Sequence, residues 1–449
     1  MDFSLSSFSP GAFLLVACFI GVWMWWRKRS FFESPIYLAL FTYTIFFGLG
    51  PLVKPESLQW YPVSTSSVII CWAGFLSLAL GYCAGNVRYQ RKRKRANSII
   101  IGGRDVIVHV GLILTAMGIS GVVIYLVFYD GLYNLLFINY GAARNHPPTV
   151  EGLCWCLRPG LQLLVGWAMT GRRVSRLFAS FLFVYIGFDF LWFGPLRGAR
   201  HHIIGIMLSL VCLAACVQWT GHRSPLRIPK WTMIAVFSVT ALVWGGLRSF
   251  SINELVNGRF RTMAVQDRAT EAVTGSLYAP YVAYSRVVDE VPELVPFQRG
   301  TTLFESLTVF IPRALWQNKP IGLGTWITEA FYGMKTARAA NTVLTWPGEL
   351  YLNFGIAGVV FGMGFTGMVC SWIVRLSPRY RPRGRFTGIE YSAFFCLPFD
   401  WIWGGSNAAM WFLAAAFPAW LAIFAGRIVT SRAAQYSEFN SRSASVTPR

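Results

Sequence analysis

Long apolar stretches alternate with short basic runs along most of this chain. A helix that crosses a bilayer needs about 20 mostly apolar residues. Stretches of that character recur at 11–26, 36–53, 66–85, 106–129, 152–170, 177–196, 201–220, 231–247, 350–374, 389–403 and 408–426. The pattern predicts an all-α, polytopic membrane bundle of about eleven spans. Spans one to eight fill residues 1–247, and spans nine to eleven fill 349–426. Between them, residues 248–348 carry ten Lys+Arg and eight Asp+Glu and read as one large extracytoplasmic loop. Apolar stretches inside it, such as 303–316, read as amphipathic helices at the membrane interface. A polar tail, 427–449, closes the chain.

The basic residues give the orientation. Asp2 precedes the first apolar run, Arg27-Lys28-Arg29 follows it, and no small-residue cleavage site intervenes. This order reads as a retained first span with its N-terminus outside. The inner segments are then 27–35, 86–105, 171–176, 221–230, 375–388 and the tail, with 25 Lys+Arg between them. The short outer segments 54–65, 130–151, 197–202 and 404–407 carry 4. Basic residues accumulate in cytoplasmic loops, and long translocated loops are exempt. The expected placement is therefore the bacterial inner membrane, with the N-terminus periplasmic and the C-terminus cytoplasmic.

Composition narrows the function classes. Hydrophobic residues make up 55% and charged residues 13%. A soluble domain carries about 25% charged residues, which argues against a soluble enzyme and against a disordered chain. The net charge of +21 would suggest nucleic acid on a soluble face. Here the run Arg91-Lys92-Arg93-Lys94-Arg95 lies between spans and reads as a cytoplasmic anchor. The nine Cys lie mostly in apolar runs, and the C-x-C at Cys154 and Cys156 is neither zinc nor redox spacing.

Ionisable residues inside apolar spans are costly and mark function. Arg158 and Asp189 fall at matching depth in neighbouring spans, which predicts an ion pair. Asp400 closes the tenth span and Glu349 opens the ninth. Arg197, Arg200, His201 and His202 crowd one tight turn. With Arg248, Arg259, Arg261 and Arg313 from the long loop, they predict an outward-facing cationic site. Arginine grips phosphate with a bidentate fork, so a lipid diphosphate fits. No metal-ligand constellation, phosphate-binding loop or serine elbow occurs, and no metal or cofactor is expected.

Two strings add a resemblance: GTTLFESLTVFIPRALWQNKP at 300–320 and PGELYLNFGIAGVVFGM at 347–363. Together they resemble the Wzy-type oligosaccharide repeat-unit polymerases, which build O-antigen and exopolysaccharide chains. The matching residues are Pro312, Arg313, Trp316, Lys319, Pro320, Glu349, Asn353, Phe354 and Gly355. The resemblance implies a glycosyltransferase that moves a growing glycan from one undecaprenyl-diphosphate-linked oligosaccharide to another lipid-linked repeat. Arg197, Arg200, Arg259, Arg261, Arg313 and Lys319, with Asn353, would hold the diphosphate and glycan. Glu349 would act as the base, with His201 in reserve. A chain-length-regulating co-polymerase is an expected partner besides the membrane lipid, and nucleic acid is not. An O-antigen ligase or a lipid-linked glycan flippase are the alternative readings.

Overall fold

The computed structural model describes residues 5–26, 31–52, 64–86, 104–129, 148–170, 175–191, 200–219, 265–308, 311, 316, 318–319, 322–333, 343–378, 387–410, 412–413, 416–417, 420–421 and 423–425. Among them the chain is all-helical, without strands. Helices α1 (Leu5–Trp26), α2 (Pro35–Thr44), α3 (Thr65–Asn86) and α4 (Arg104–Phe128) come first. Then follow α5 (Pro148–Trp155), α6 (Leu157–Thr170), α7 (Arg176–Leu191) and α8 (Arg200–Trp219). The long segment contributes α9 (Val265–Glu290), α10 (Thr301–Leu307) and α11 (Leu323–Tyr332). Helices α12 (Trp346–Arg375) and α13 (Thr387–Phe395) follow, and 397–410 is again helical.

Among the described residues, four helical stretches are long and apolar enough to cross a membrane: Pro35–Leu52, Thr65–Gly85, Ile107–Phe128 and Trp346–Arg375. Gly11–Trp23, Leu177–Phe188 and Met207–Cys216 are apolar but shorter. Several expected spans are broken, each at an identifiable residue. The 152–170 span divides at Cys156. Pro159, three residues on, has no N–H to offer the carbonyl of Trp155. The 389–403 span divides at Cys396, just before Pro398. The expected loop at 404–407 is instead helical with a kink at Gly405, whose φ is 66°. The expected span 231–247 lies outside the described residues.

Small residues let the helices approach closely. Along the α3–α12 contact, a Cβ on Gly81 would collide with the Gly364 carbonyl, and one on Gly367 with the Leu78 carbonyl. Without a hydrophobic drive between helices in lipid, such backbone approach is how spans associate. Tyrosine hydroxyls add ties: Tyr43 donates to the Cys71 carbonyl at 2.7 Å and Tyr284 to the Ser67 carbonyl at 2.6 Å.

The described part of the long segment packs against the apolar helices. Tyr278, Tyr281, Tyr284 and Val288 of α9 are buried with residues of α1, α2, α3 and α12 in one apolar core. Its opposite face, Ala283 and Val287, packs on Leu323, Ile327 and Phe331 of α11. Arg286 fastens α11 further, donating to the Phe331 carbonyl at 2.7 Å and lying 4.5 Å from the centre of the Tyr332 ring. The described part of 248–348 therefore shares its core with the apolar helices.

Candidate functional site

The polar centre of the molecule forms where α12 breaks. Pro347 near its first turn and Glu349 in that turn suit a helix N-terminus, where a missing N–H costs nothing and a carboxylate meets the dipole. Nine residues in, Gly355 takes φ 65° and ψ −152°, which only glycine tolerates readily. The break frees the carbonyls of Leu352 and Asn353 from intrahelical pairing. The turn before α10 takes them up: Gln298 N–H donates to Leu352 O at 2.9 Å and Arg299 N–H to Asn353 O at 3.2 Å. Gly300 N–H donates to Asn353 Oδ1 at 2.8 Å. Three successive backbone donors thus grip the broken end.

Glu349 is the hub. It is 0% exposed, and both its oxygens are taken. Thr302 Oγ1 donates to Oε1 at 3.0 Å, and Ser406 Oγ donates to the same oxygen. Ser406 N–H donates to Oε2 at 2.6 Å. Asn353 spends both amide hydrogens inside the cluster, on Thr302 Oγ1 at 2.7 Å and on Glu349 O at 2.8 Å. Ser306 Oγ lies 2.6 Å from Ser406 Oγ. A Cβ at Gly405 would strike Glu349 Oε2, so glycine is required there for space as well as for its backbone angle. A buried carboxylate is tolerated only when hydrogen-bonded in this way.

Glu305, on the same short helix as Thr302 and Ser306, differs. It is half-buried, and its Oε2 has no hydrogen-bond partner. Burial, and behind it the charge of Glu349, push its carboxyl up to about 6. Arg299, exposed on the gripping turn, holds a left-handed backbone with φ 47°. A half-open carboxylate near neutrality and an open guanidinium on one clamp can move a proton and hold an anion.

Of the residues picked from the sequence, the structure brings Glu349 and Asn353 together. Lys319 Nζ donates to the Ile311 carbonyl at 3.0 Å and closes its own loop. Arg197, Arg259, Arg261 and Arg313 lie outside the described residues. Arg200 and His201 start α8, and their side chains lie outside the described set. Thr302, Glu305, Ser306, Ser406 and Arg299 were not singled out from the sequence. The i, i+4 pair Thr302–Ser306, with apolar Leu303, Phe304 and Leu307 between and beside it, was the available signal.

A second polar cluster is buried elsewhere. Arg158 of α6 is 3% exposed, its guanidinium 5.0 Å from the centre of the Phe412 ring. Gly205 of α8 makes room for it, since a Cβ there would lie 2.6 Å from Nη2. Asp400, also buried, lies within reach of the Arg158 charge. Arg158 Nη2 and Asp400 Oδ2 have no hydrogen-bond partner. The side chain of Asp189, the partner expected from the sequence, lies outside the described residues.

Among known proteins, a family described as a domain of unknown function (DUF8712) matches residues 281–408. The match encloses every member of the Glu349 cluster and leaves out α1 to α8. No solved structure matches the chain.

Proposed function

We propose that the chain is a membrane glycan polymerase that extends a lipid-linked glycan, in O-antigen or exopolysaccharide synthesis. The observation that supports this reading is the setting of the residues in which the sequence resembles the Wzy-type polymerases. Glu349, Asn353, Phe354 and Gly355 make a broken helix end, and the loop that clamps it carries a half-open carboxylate and an open cation. Rigid first-turn geometry beside an accessible acid–base group is what a transfer reaction requires.

In the reaction an acceptor hydroxyl oxygen bonds to the anomeric carbon of the donor sugar. The bond from that carbon to the diphosphate oxygen breaks, and undecaprenyl diphosphate departs with the electron pair. A base takes the hydroxyl proton, and cations meet the developing negative charge. Glu305 is the base in this reading, because its side chain is only half-buried while Glu349 is fully buried with both oxygens occupied. Glu349 holds the clamp in place. Arg299 joins Arg197, Arg200, Arg259, Arg261, Arg313 and Lys319 as the diphosphate-facing set. The site opens toward the periplasm of the inner membrane, where the lipid-linked repeat presents its sugar.

The test is chain extension by purified protein in vesicles with lipid-linked repeat units. Ladders of longer glycan are expected, and Glu305→Gln is expected to lose about 10²–10⁴-fold in rate with its melting temperature kept. If Glu349→Gln shows that loss instead, at unchanged melting temperature, the base is Glu349. Absence of extension by the parent protein overturns the polymerase reading, and transfer to a lipid A core identifies a ligase.

A further inference from the structure

Helix α10 is inside out by the standard of a water-exposed loop. Its polar residues Thr302 and Ser306 are buried against Glu349 and Ser406. Its apolar residues Phe304 and Leu307 are 57% and 60% exposed, and Ile311, just beyond, is 39% exposed. At 100° per residue, positions 304 and 307 share the face away from 302 and 306. In water this arrangement exposes the apolar surface that burial would reward. In lipid it is the expected one, with polar groups satisfied internally and apolar groups outward.

Continuity with α12 identifies what covers this face. Along α12 beyond its break, Phe361, Phe365, Met368 and Trp372 are exposed, at spacings that repeat along one side of a helix, and Phe354 just before the break is exposed as well. This helix is long and apolar enough to cross a membrane, so its exposed stripe faces acyl chains. Exposed Phe354 stands at the helix break, and its ring lies against Gly300, the residue before α10: a Cβ there would be 3.3 Å from the Phe354 ring. Helix α10 thus starts beside that exposed ring.

We infer that α10 and Ile311 are seated in the bilayer, with Phe304, Leu307 and Ile311 in contact with lipid acyl chains. The apolar face of α10 then lies against lipid, while its polar face rests on the Glu349 cluster. The Glu349 cluster satisfies the polar groups of a helix that enters lipid. This inference does not depend on the polymerase reading.

The unaltered protein is reconstituted in phosphatidylethanolamine–phosphatidylglycerol vesicles that contain phosphatidylcholine with a photoactivatable diazirine on its acyl chain. Labelled residues are located by mass spectrometry. Label on Phe304, Leu307 or Ile311 comparable to that on Phe361 and Phe365 is the expected result. Label on Phe361 and Phe365 with none on residues 301–311 overturns the inference. If hydroxyl radicals from water also fail to mark 301–311, protein covers the face, either a second copy or another segment of this chain. Absence of label from α12 itself overturns it too, because the continuity argument then fails.

Discussion

Two carboxylates from different elements meet at the clamp, and hydrogen bonding separates their roles. Glu349 has three donors and no exposure, so its carboxyl group is held in place. Glu305 has a buried oxygen without a donor, and its carboxyl is raised to about 6 from 4.5. The sign of the linkage follows directly. A carboxyl whose folded value is raised binds more protons folded than unfolded in this window. Its stabilising contribution is complete below about pH 4.5 and is lost as pH rises through 6. Thermal melting in detergent between pH 4 and 7 should therefore show a downward component that lies between 4.5 and about 6 and levels off above it. Glu305→Gln should flatten that component, and an unchanged profile would remove the assignment. Catalysis by the same group has the opposite slope, since a base must be ionised, so rate should rise through the range in which this component of stability falls.

At the scale of elements, α12 decides the site, and it does so through its break. Gly355→Ala should be poorly tolerated, because φ 65° with ψ −152° leaves no comfortable place for a Cβ. Relief by straightening the helix would return the Leu352 and Asn353 carbonyls to intrahelical bonds and release Gln298 and Arg299. Faster hydrogen exchange at 298–300, with α3 unchanged, is the expected signature, and unaltered protection there would refute the clamp. The positions of α2, α3, α4 and α12 were legible in the sequence because each is an uninterrupted apolar run. The breaks at 156 and 396 were also within reach, since Pro159 and Pro398 stand beside them. The kinks at Gly355 and Gly405 were not, because a glycine in an apolar run more often serves close packing, as Gly81 and Gly367 do. Glu349 and Asn353 could be picked by type and spacing, but their partners come from residues about 50 positions away on either side. No local pattern carries that information.

For the whole molecule, the Arg158 cluster brings α6 and α8 onto the segment after α13, which also carries Ser406 of the Glu349 cluster. Helix α6 brings Arg158, α8 brings Gly205, and the segment after α13 brings Asp400 and Phe412. Arg158 and Asp400 thus couple an apolar core of α4 to α8 with one of α8, α12 and α13. Sequence spacing suggested Asp189 as the partner, since depth within spans is legible but the order of helices around a bundle is not. The pairing can be tested by what each deletion leaves behind. Arg158→Met alone strands a buried carboxylate, and Asp400→Leu alone strands a buried guanidinium. Each should cost about 3–5 kcal/mol, because the remaining charge has lost its compensation. The double variant leaves neither charge, and apolar replacements of similar volume are often neutral. The double variant should therefore be more stable than either single one, which requires a coupling larger than one whole single loss, above about 3 kcal/mol. Thermal unfolding of the four proteins in one detergent measures it. If the two losses simply add, Arg158 and Asp400 do not compensate each other. If Arg158→Met paired with Asp189→Leu shows the coupling instead, Asp189 is the partner and the charge link lies between α6 and α7.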